Sequence, residues 1–276
     1  MAYRPLISVV IPTFNRQFRL MEAIASVLNQ TDHNIEIIVV DDGSTDDTKA
    51  AIDSLRNEVH YFYQTNQGQS VARNLGIEKA KGEYIALLDS DDIWLPGKLD
   101  RDLAIFAQSD DIDCVIGNSE HFIGDLINHE SLFDFKQIFD HVRGTKHFNW
   151  SLPHWEKGSI CTTSAMNMKR QSLEKIGKHC FDPQLRGFED WDVELRLYMY
   201  TTVVFYSDVL CRVRVFDDGT RLYHGYPGIT RTEEELTDIK KTHLAIINRY
   251  INSLRKVPTA ATRINTEQSR LMEYLA

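Results

Sequence analysis

Four short apolar runs, at residues 6–11, 35–40, 59–63 and 84–88, constrain the fold of this chain more firmly than any other feature. Each is nearly continuous rather than alternating and is too short to stand alone as a helix, as expected of strands buried on both faces. Between them the apolar period changes to 3.6 residues, so that Leu20, Ala23, Ile24, Val27 and Leu28 fall on one helical face. Ser70 is placed to open a second helix that Gly82 can end, and the spacing of Ser44 to Asp47 resembles a capping box at the start of a shorter one. Strands alternating with covering helices predict an α/β architecture with a mainly parallel sheet.

Beyond Pro96 the pattern predicts a helix to residue 107 and a strand at 114–117. Residues 123–158 then mix Phe, His, Trp, Gly and Pro without a period, as in loops or a lid over a site. A second ordered block reads as a strand at 160–168, a helix at 191–200 and strands at 203–206 and 210–215. Ile239, Ile246, Ile247, Tyr250, Ile251 and Leu254 mark an amphipathic helix over 232–254. The expected division is one α/β domain over 1–230, with halves 1–118 and 119–230, and a helical extension over 231–276.

Composition excludes several alternatives. With 42% hydrophobic and 26% charged residues, the 276-residue chain has ordinary globular usage, so disorder and coiled coil are poor readings. A net charge of -9 argues against nucleic acid as a partner, because phosphate neutralisation needs clustered Lys and Arg. Cys114, Cys161, Cys180 and Cys211 lie far apart with no C-x-x-C pair, and are expected as free thiols. Residues 1–5 carry no visible secretory signal, and no run approaches the roughly 18 apolar residues needed to span a bilayer. The expectation is a cytoplasmic protein whose membrane attachment, if any, is peripheral. The terminal helix can pack on the domain or on a second subunit, or lie on lipid through Lys240, Lys241, Arg249, Arg255 and Lys256. Glu233, Glu234, Glu235 and Asp238 weaken attraction to anionic lipid and favour packing.

In an open parallel sheet, ligands bind beyond the carboxyl ends of the strands. Here those ends read Pro12-Thr13-Phe14-Asn15, Asp41-Asp42-Gly43-Ser44 and Asp89-Ser90-Asp91-Asp92. Any one Asp can simply cap a helix or make a turn. Acidic runs after two separate strands are costly to desolvate, and point instead to a bound cation or a partner that offsets the charge, a hard divalent ion being the natural candidate. Mg²⁺ takes one or two carboxylates with water and substrate phosphates, which a D-x-D turn beside a diphosphate supplies, and Asp91 is the first candidate ligand.

The segments Val9-Val10-Ile11-Pro12-Thr13-Phe14-Asn15, Val39-Val40-Asp41-Asp42-Gly43-Ser44-Thr45-Asp46, Ala72-Arg73-Asn74-Leu75-Gly76-Ile77 and Leu87-Leu88-Asp89-Ser90-Asp91-Asp92 resemble the family 2 glycosyltransferases, which have a GT-A fold. They span most of the first hundred residues in the family's order. The resemblance implies a nucleotide-sugar-binding half at 1–118 and an acceptor and catalytic-base half at 119–230. It implies that Pro12, Thr13, Phe14, Asn15 and Asp42 contact the base and ribose, that Asp89, with Ser90 beside it, faces the ribose and phosphates, and that Asp91 binds Mn²⁺ or Mg²⁺. Asp41 could share the role of Asp42. Arg73 can brace a carboxylate or approach donor phosphate, against the alternative of an idle exposed arginine. Gly68 can allow close backbone approach to the donor or simply make a turn.

Transfer of a sugar to an alcohol requires removal of the hydroxyl proton. In Gly187-Phe188-Glu189-Asp190-Trp191-Asp192 the resemblance implies Asp190 as general base, with Glu189 orienting it or binding acceptor; Asp190 could equally cap the helix that follows. Arg214 matches a family arginine near the donor phosphates, whereas Phe216 stands where the family often has His, a role that His224 could recover. Trp150, Trp155 and Trp191 can stack on a sugar, with Trp191 nearest the acceptor residues, although packing is their commoner use. The resulting expectation is an inverting, metal-dependent hexosyl- or N-acetylhexosaminyltransferase that uses a UDP-sugar. Its acceptor is a glycan, lipid-linked molecule or protein in polysaccharide or glycoconjugate synthesis, and a homodimer is possible. The alternative is a non-catalytic nucleotide-sugar-binding subunit of an assembly complex.

Overall fold

A computed structural model describes residues 6–30, 34–55, 57–124, 126–131, 161–177, 179–185, 187–215, 241–242, 244–249 and 252. The four apolar runs form β1 (Leu6–Thr13), β2 (Asn34–Asp41), β3 (Val59–Tyr63) and β4 (Tyr84–Leu87). They lie in the order β3-β2-β1-β4, all parallel. The connecting helices are α1 (Gln17–Leu28), α2 (Thr48–Asp53) and α3 (Gln69–Lys79). β1 shows why its sequence does not alternate. Ile7, Val9 and Ile11 face a core built with Leu20, Ala23, Ile24 and Val27 of α1, while Val10 faces a second core with Ala72 of α3. The approach of α3 to the sheet requires glycine, since a Cβ on Gly76 would lie 2.3 Å from Val10 Cγ1.

The sheet then continues through strands of both directions. After β5 (Ile93–Trp94) and α4 (Lys98–Phe106) come β6 (Cys114–Ile123) and β7 (Leu126–Ser131). A short 3₁₀ turn at Thr163–Ala165 leads into β8 (Met166–Lys169), α5 (Leu173–Ile176), α6 (Glu189–Tyr200) and β9 (Val203–Arg214). β8 pairs antiparallel with both β4 and β6, β9 runs parallel to β6, and β5 closes the far edge against β9. One nine-stranded sheet results, flanked by helices on both faces. The 118/119 division lies inside β6, and the two halves share this sheet.

Several element boundaries differ from expectation. The single strand expected at 160–168 is a 3₁₀ turn followed by the shorter β8, and the two strands at 203–206 and 210–215 are one continuous β9. β6 and β7 occupy the start of the region expected as loop, since the β6 pairing continues to Phe122 and Ile123. No capping box forms at Ser44: Ser44 N instead donates to Asp41 Oδ1, and α2 begins only at Thr48. Trp150, Trp155, Phe216 and His224 lie outside the described residues. Of the terminal helix, residues 241–242, 244–249 and 252 are described as helical, with Ile246 and Ile247 buried. Arg249 pairs with Asp182 at 2.7 Å and Asp192 at 2.9 Å, so this part of the extension is seated on the domain. All four cysteines are reduced and buried. Among the described residues no helix is long and apolar enough to cross a membrane.

Candidate active site

The ends of β1, β2 and β4 bring their loops to one edge of the sheet, as parallel register requires. Thr13 is paired with Asp41, and the Asp42 amide donates to the Thr13 carbonyl at 2.8 Å. Pro12 is tolerated in an interior strand because β4 pairing with β1 stops at Val10, leaving only the β2 side to satisfy. Thr13 is buried, and its Oγ1 makes no hydrogen bond among the described residues. A buried hydroxyl without a partner is uncommon enough to mark a place where a ligand can supply one. Phe14 beside it is 44% exposed, an aromatic face open to solvent at the same edge.

Asn15 and Asp42 hold the loops of this edge together. Asn15 Oδ1 accepts from the Thr45 amide at 2.7 Å, and the Asn15 amide donates to Ser44 Oγ at 2.9 Å, which ties the β1 and β2 loops together. Asp42 Oδ1 accepts from Gln64 Nε2 and the Gln67 amide, and its Oδ2 accepts from the Gly68 amide. Both oxygens therefore hold the loop ahead of α3. Asp41 is likewise engaged, accepting from Tyr61 OH at 2.7 Å. Gly68 has φ +92°, and a Cβ added there would meet nothing within 4 Å. The positive φ is reason enough for glycine at this position.

Arg73 is not an idle surface residue. It is 3% exposed, with Nη2 2.6 Å from Asp89 Oδ1 and Nη1 2.9 Å from Glu189 Oε1. Its guanidinium also lies over the Phe181 ring, 5.0 Å from the centroid. Burial alone would lower its pKa, but Asp89 and Glu189 outweigh that and hold it fully protonated. One buried cation thus joins the end of β4 to the first turn of α6, elements separated by 116 residues in the pair with Glu189.

Glu189 is buried and also accepts from Gln69 Nε2. The helix begins two residues earlier than expected, with Phe188 at φ +59° ahead of it, so Asp190 lies inside the first turn and is not the cap. Three acids, Glu189, Asp190 and Asp192, share that turn, where the helix dipole favours negative charge. Even so, the Asp190 carboxyl is pushed up to about 7, first by desolvation and then by the charge of Glu189. A carboxylate with that pKa can take a proton at neutral pH. Trp191, in contrast, is 2% exposed, a burial that favours its packing use.

At the β4 end, Ser90, Asp91 and Asp92 are all buried. Asp92 is pushed well above the ordinary carboxylate range by burial and by the neighbouring Asp91 and Asp89 charges. It accepts from Ser164 Oγ at 2.6 Å and from the Arg214 amide at 3.0 Å. Ser164 Oγ in turn accepts from the Asp89 amide, so one hydroxyl fixes both ends of the acidic turn. Arg214 Nε donates to the Asp91 carbonyl at 3.0 Å, and its guanidinium pairs with Glu22 and lies over Phe122. Asp91 Oδ2 meets Arg16 Nη1 at 2.5 Å. Sequence reasoning missed Arg16 and Ser164: Arg16 directly follows the β1 loop and could have been noticed, whereas nothing local singles out Ser164.

A hard divalent ion suits this chemistry. Among the described residues no three His, Cys, Asp or Glu side chains converge to hold a metal by themselves. The donor set instead fits an ion bound through Asp91 and completed by substrate phosphate and water. A cleft of about 260 Å³ lined by Lys175, Ile176, Leu195, Met199, Ile246 and Arg249 lies at the seat of the terminal helix and includes none of the candidate site residues.

The model for glycosyl transferase family 2 matches residues 8–177, which include the β1, β2 and β4 loops and Arg73. The chain belongs to glycosyl transferase family 2. Among its family 2 relatives, an uncharacterized glycosyltransferase of Nostoc is 44% identical over 256 residues, covering 89% of this chain and 74% of its own length. An uncharacterized glycosyltransferase of Rickettsia typhi is 34% identical over 219 residues, covering 79% of this chain. The chain spans only 66% of the Rickettsia typhi protein and 34% of the Rickettsia conorii one. Solved structures similar to this family 2 chain include S. aureus TarS 1-349 in complex with UDP-GlcNAc, with TM-score 0.73, 17% identity and 96% and 71% of the two chains covered. The Pyrobaculum calidifontis mannosyltransferase PcManGT, in complex with GDP-Man and Mn²⁺, has TM-score 0.66, 19% identity and 98% and 70% coverage. These likenesses show the GT-A fold.

Proposed function

We propose that this family 2 chain is an inverting glycosyltransferase that moves a sugar from a nucleotide-sugar, with UDP as the expected nucleotide, to an acceptor hydroxyl in glycan or glycoconjugate synthesis. The observation that carries the reading is the buried Asp89–Arg73–Glu189 bridge, which seats the first turn of α6, with Asp190 in it, against the end of β4. The solved complexes of TarS with UDP-GlcNAc and of PcManGT with GDP-Man support a nucleotide-sugar as the donor class.

Pro12, Thr13 and Phe14 would receive the base and ribose, with the partnerless Thr13 hydroxyl supplying a hydrogen bond and Phe14 a face for stacking. Asp42 and Asn15 would act by shaping this pocket, since their oxygens hold the surrounding loops. Asp89 and Ser90 would face the ribose and phosphates, and Arg214 would stand at the phosphate side. A divalent cation bound to Asp91 would supply charge neutralisation at the leaving diphosphate. Asp190 removes the proton from the acceptor hydroxyl as its oxygen bonds to the anomeric carbon and the bond from that carbon to the diphosphate oxygen breaks. Attack opposite the leaving group inverts the configuration. Glu189, already bonded to Arg73 and Gln69, sets the position of α6, and beside the desolvation of Asp190 its proximity adds to the basicity of the base.

Calorimetric binding of UDP, GDP, TDP and CDP, each with Mn²⁺ and with excess EDTA, tests the donor site in wild type and Asp91→Ala. Metal-dependent binding of one nucleotide, lost in Asp91→Ala, is the expected result. Binding that ignores both metal and Asp91 would remove the donor assignment. Donor binding without turnover on any acceptor would favour the non-catalytic subunit.

A further inference from the structure

Arg16 is the residue between the β1 loop and α1, and its guanidinium occupies the carboxylate proposed as metal ligand. The Asp91 side chain is 10% exposed and that of Arg16 33%, so the pair is mostly enclosed, with Nη1 2.5 Å from Oδ2. The setting explains the contact. Asp89, Asp91 and Asp92 crowd one turn, and each is met by an arginine: Asp89 by Arg73, Asp92 by the Arg214 amide, and Asp91 by Arg16. An oxygen at 2.5 Å from a guanidinium presents to it the same lone pairs that a metal ion would use, and two cations at one oxygen repel.

We infer that Arg16 and the divalent cation are alternative partners of Asp91, and that Arg16 passes to the donor diphosphate when the cation takes Asp91, which makes it a further donor-binding residue. The inference rests on Asp91 being the metal ligand. The Arg16 backbone is fixed at both sides, by its carbonyl accepting from the Leu20 amide at 2.9 Å and by the Asn15 amide bonded to Ser44 Oγ. Exchange is therefore a side-chain rotation on a fixed tether. A diphosphate that shares the cation with Asp91 brings anionic oxygens to the neighbourhood the guanidinium leaves, and a guanidinium fork suits phosphate. Cation and nucleotide then bind cooperatively, because each favours the released position of Arg16.

The experiment is Mn²⁺ binding to the full chain, read by the electron paramagnetic resonance signal of the free ion, with and without UDP. Wild type, Arg16→Met, Arg16→Lys and Asp91→Ala are compared, with thermal unfolding confirming that each is folded. Arg16→Met should bind Mn²⁺ alone about three- to tenfold more tightly, because the Arg16 guanidinium no longer competes. The tightening of Mn²⁺ binding by UDP should shrink by a similar factor, and Arg16→Lys should fall between the two. Unchanged or weaker binding of Mn²⁺ alone in Arg16→Met, with Asp91→Ala still abolishing binding, overturns the exchange while leaving the metal ligand in place. Mn²⁺ binding to Asp91→Ala like that to wild type removes the metal assignment itself, and the exchange with it.

Discussion

At the scale of single residues, Asp190 carries the sharpest expectations. A base with a pKa of about 7 is protonated and idle in acid, so kcat/KM should climb about tenfold per pH unit below that point and level off above it. Asp190→Asn should keep donor binding, lose roughly 10²- to 10⁴-fold in transfer and abolish that profile. The same substitution should stabilise the fold. An acid whose pKa is raised from about 4 to about 7 on folding holds its proton more firmly in the native state, so stability falls as pH rises through that window. Melting temperatures should therefore favour Asp190→Asn over wild type at pH 8, and the gap should close towards pH 4. A gap that stays constant with pH would show that Asp190 is not desolvated as described. Gly68 offers a contrast: with φ +92° and open space around its α-carbon, Gly68→Ala should cost about 1 kcal/mol through backbone strain alone, measured by urea unfolding.

At the scale of elements, the close seating of α3 on β1 sets another test. A methyl at position 76 meets Val10 in a fully buried place, so Gly76→Ala should destabilise by about 1–3 kcal/mol, and Gly76→Ala with Val10→Ala should recover part of that loss. Equilibrium unfolding of the single and double variants decides it. Such elements were legible in the sequence wherever a short apolar run met a turn: β3 matches its run at both ends, and the other three of the first four strands match within two residues. The block after residue 158 was harder to read. β8 is only four residues long, its place in the sheet is set by pairing with β4 and β6, and no local period records that. The site followed the same division. Asp89, Asp91 and Arg73 stand in motifs that declare themselves, whereas the hold of Ser164 on the Asp89 amide and Asp92 spans 75 and 72 residues. The hold of Asp42 on the loop ahead of α3 was hidden for a related reason, since its partners lie more than twenty residues away.

At the scale of the whole molecule, the terminal helix is joined to the helix that carries Asp190. Arg249 bonds Asp192, two residues along α6, and Ile246 and Ile247 are buried beneath it. Ile247→Asp should cost several kcal/mol, because an unpaired charge would enter an apolar seat, and should open the chain at residues 244–249 to proteolysis. The single sheet that joins the two halves bears on how substrates enter and leave. Two lobes linked by a hinge can open like jaws, but here β8 stitches β4 to β6 through continuous backbone hydrogen bonds, and rotation of one half against the other would tear that seam. On the proposed function, substrates would then enter and leave by movements of side chains and surface loops over a rigid floor, while the Asp89–Arg73–Glu189 bridge works as a ruler that sets how far α6 stands from the end of β4.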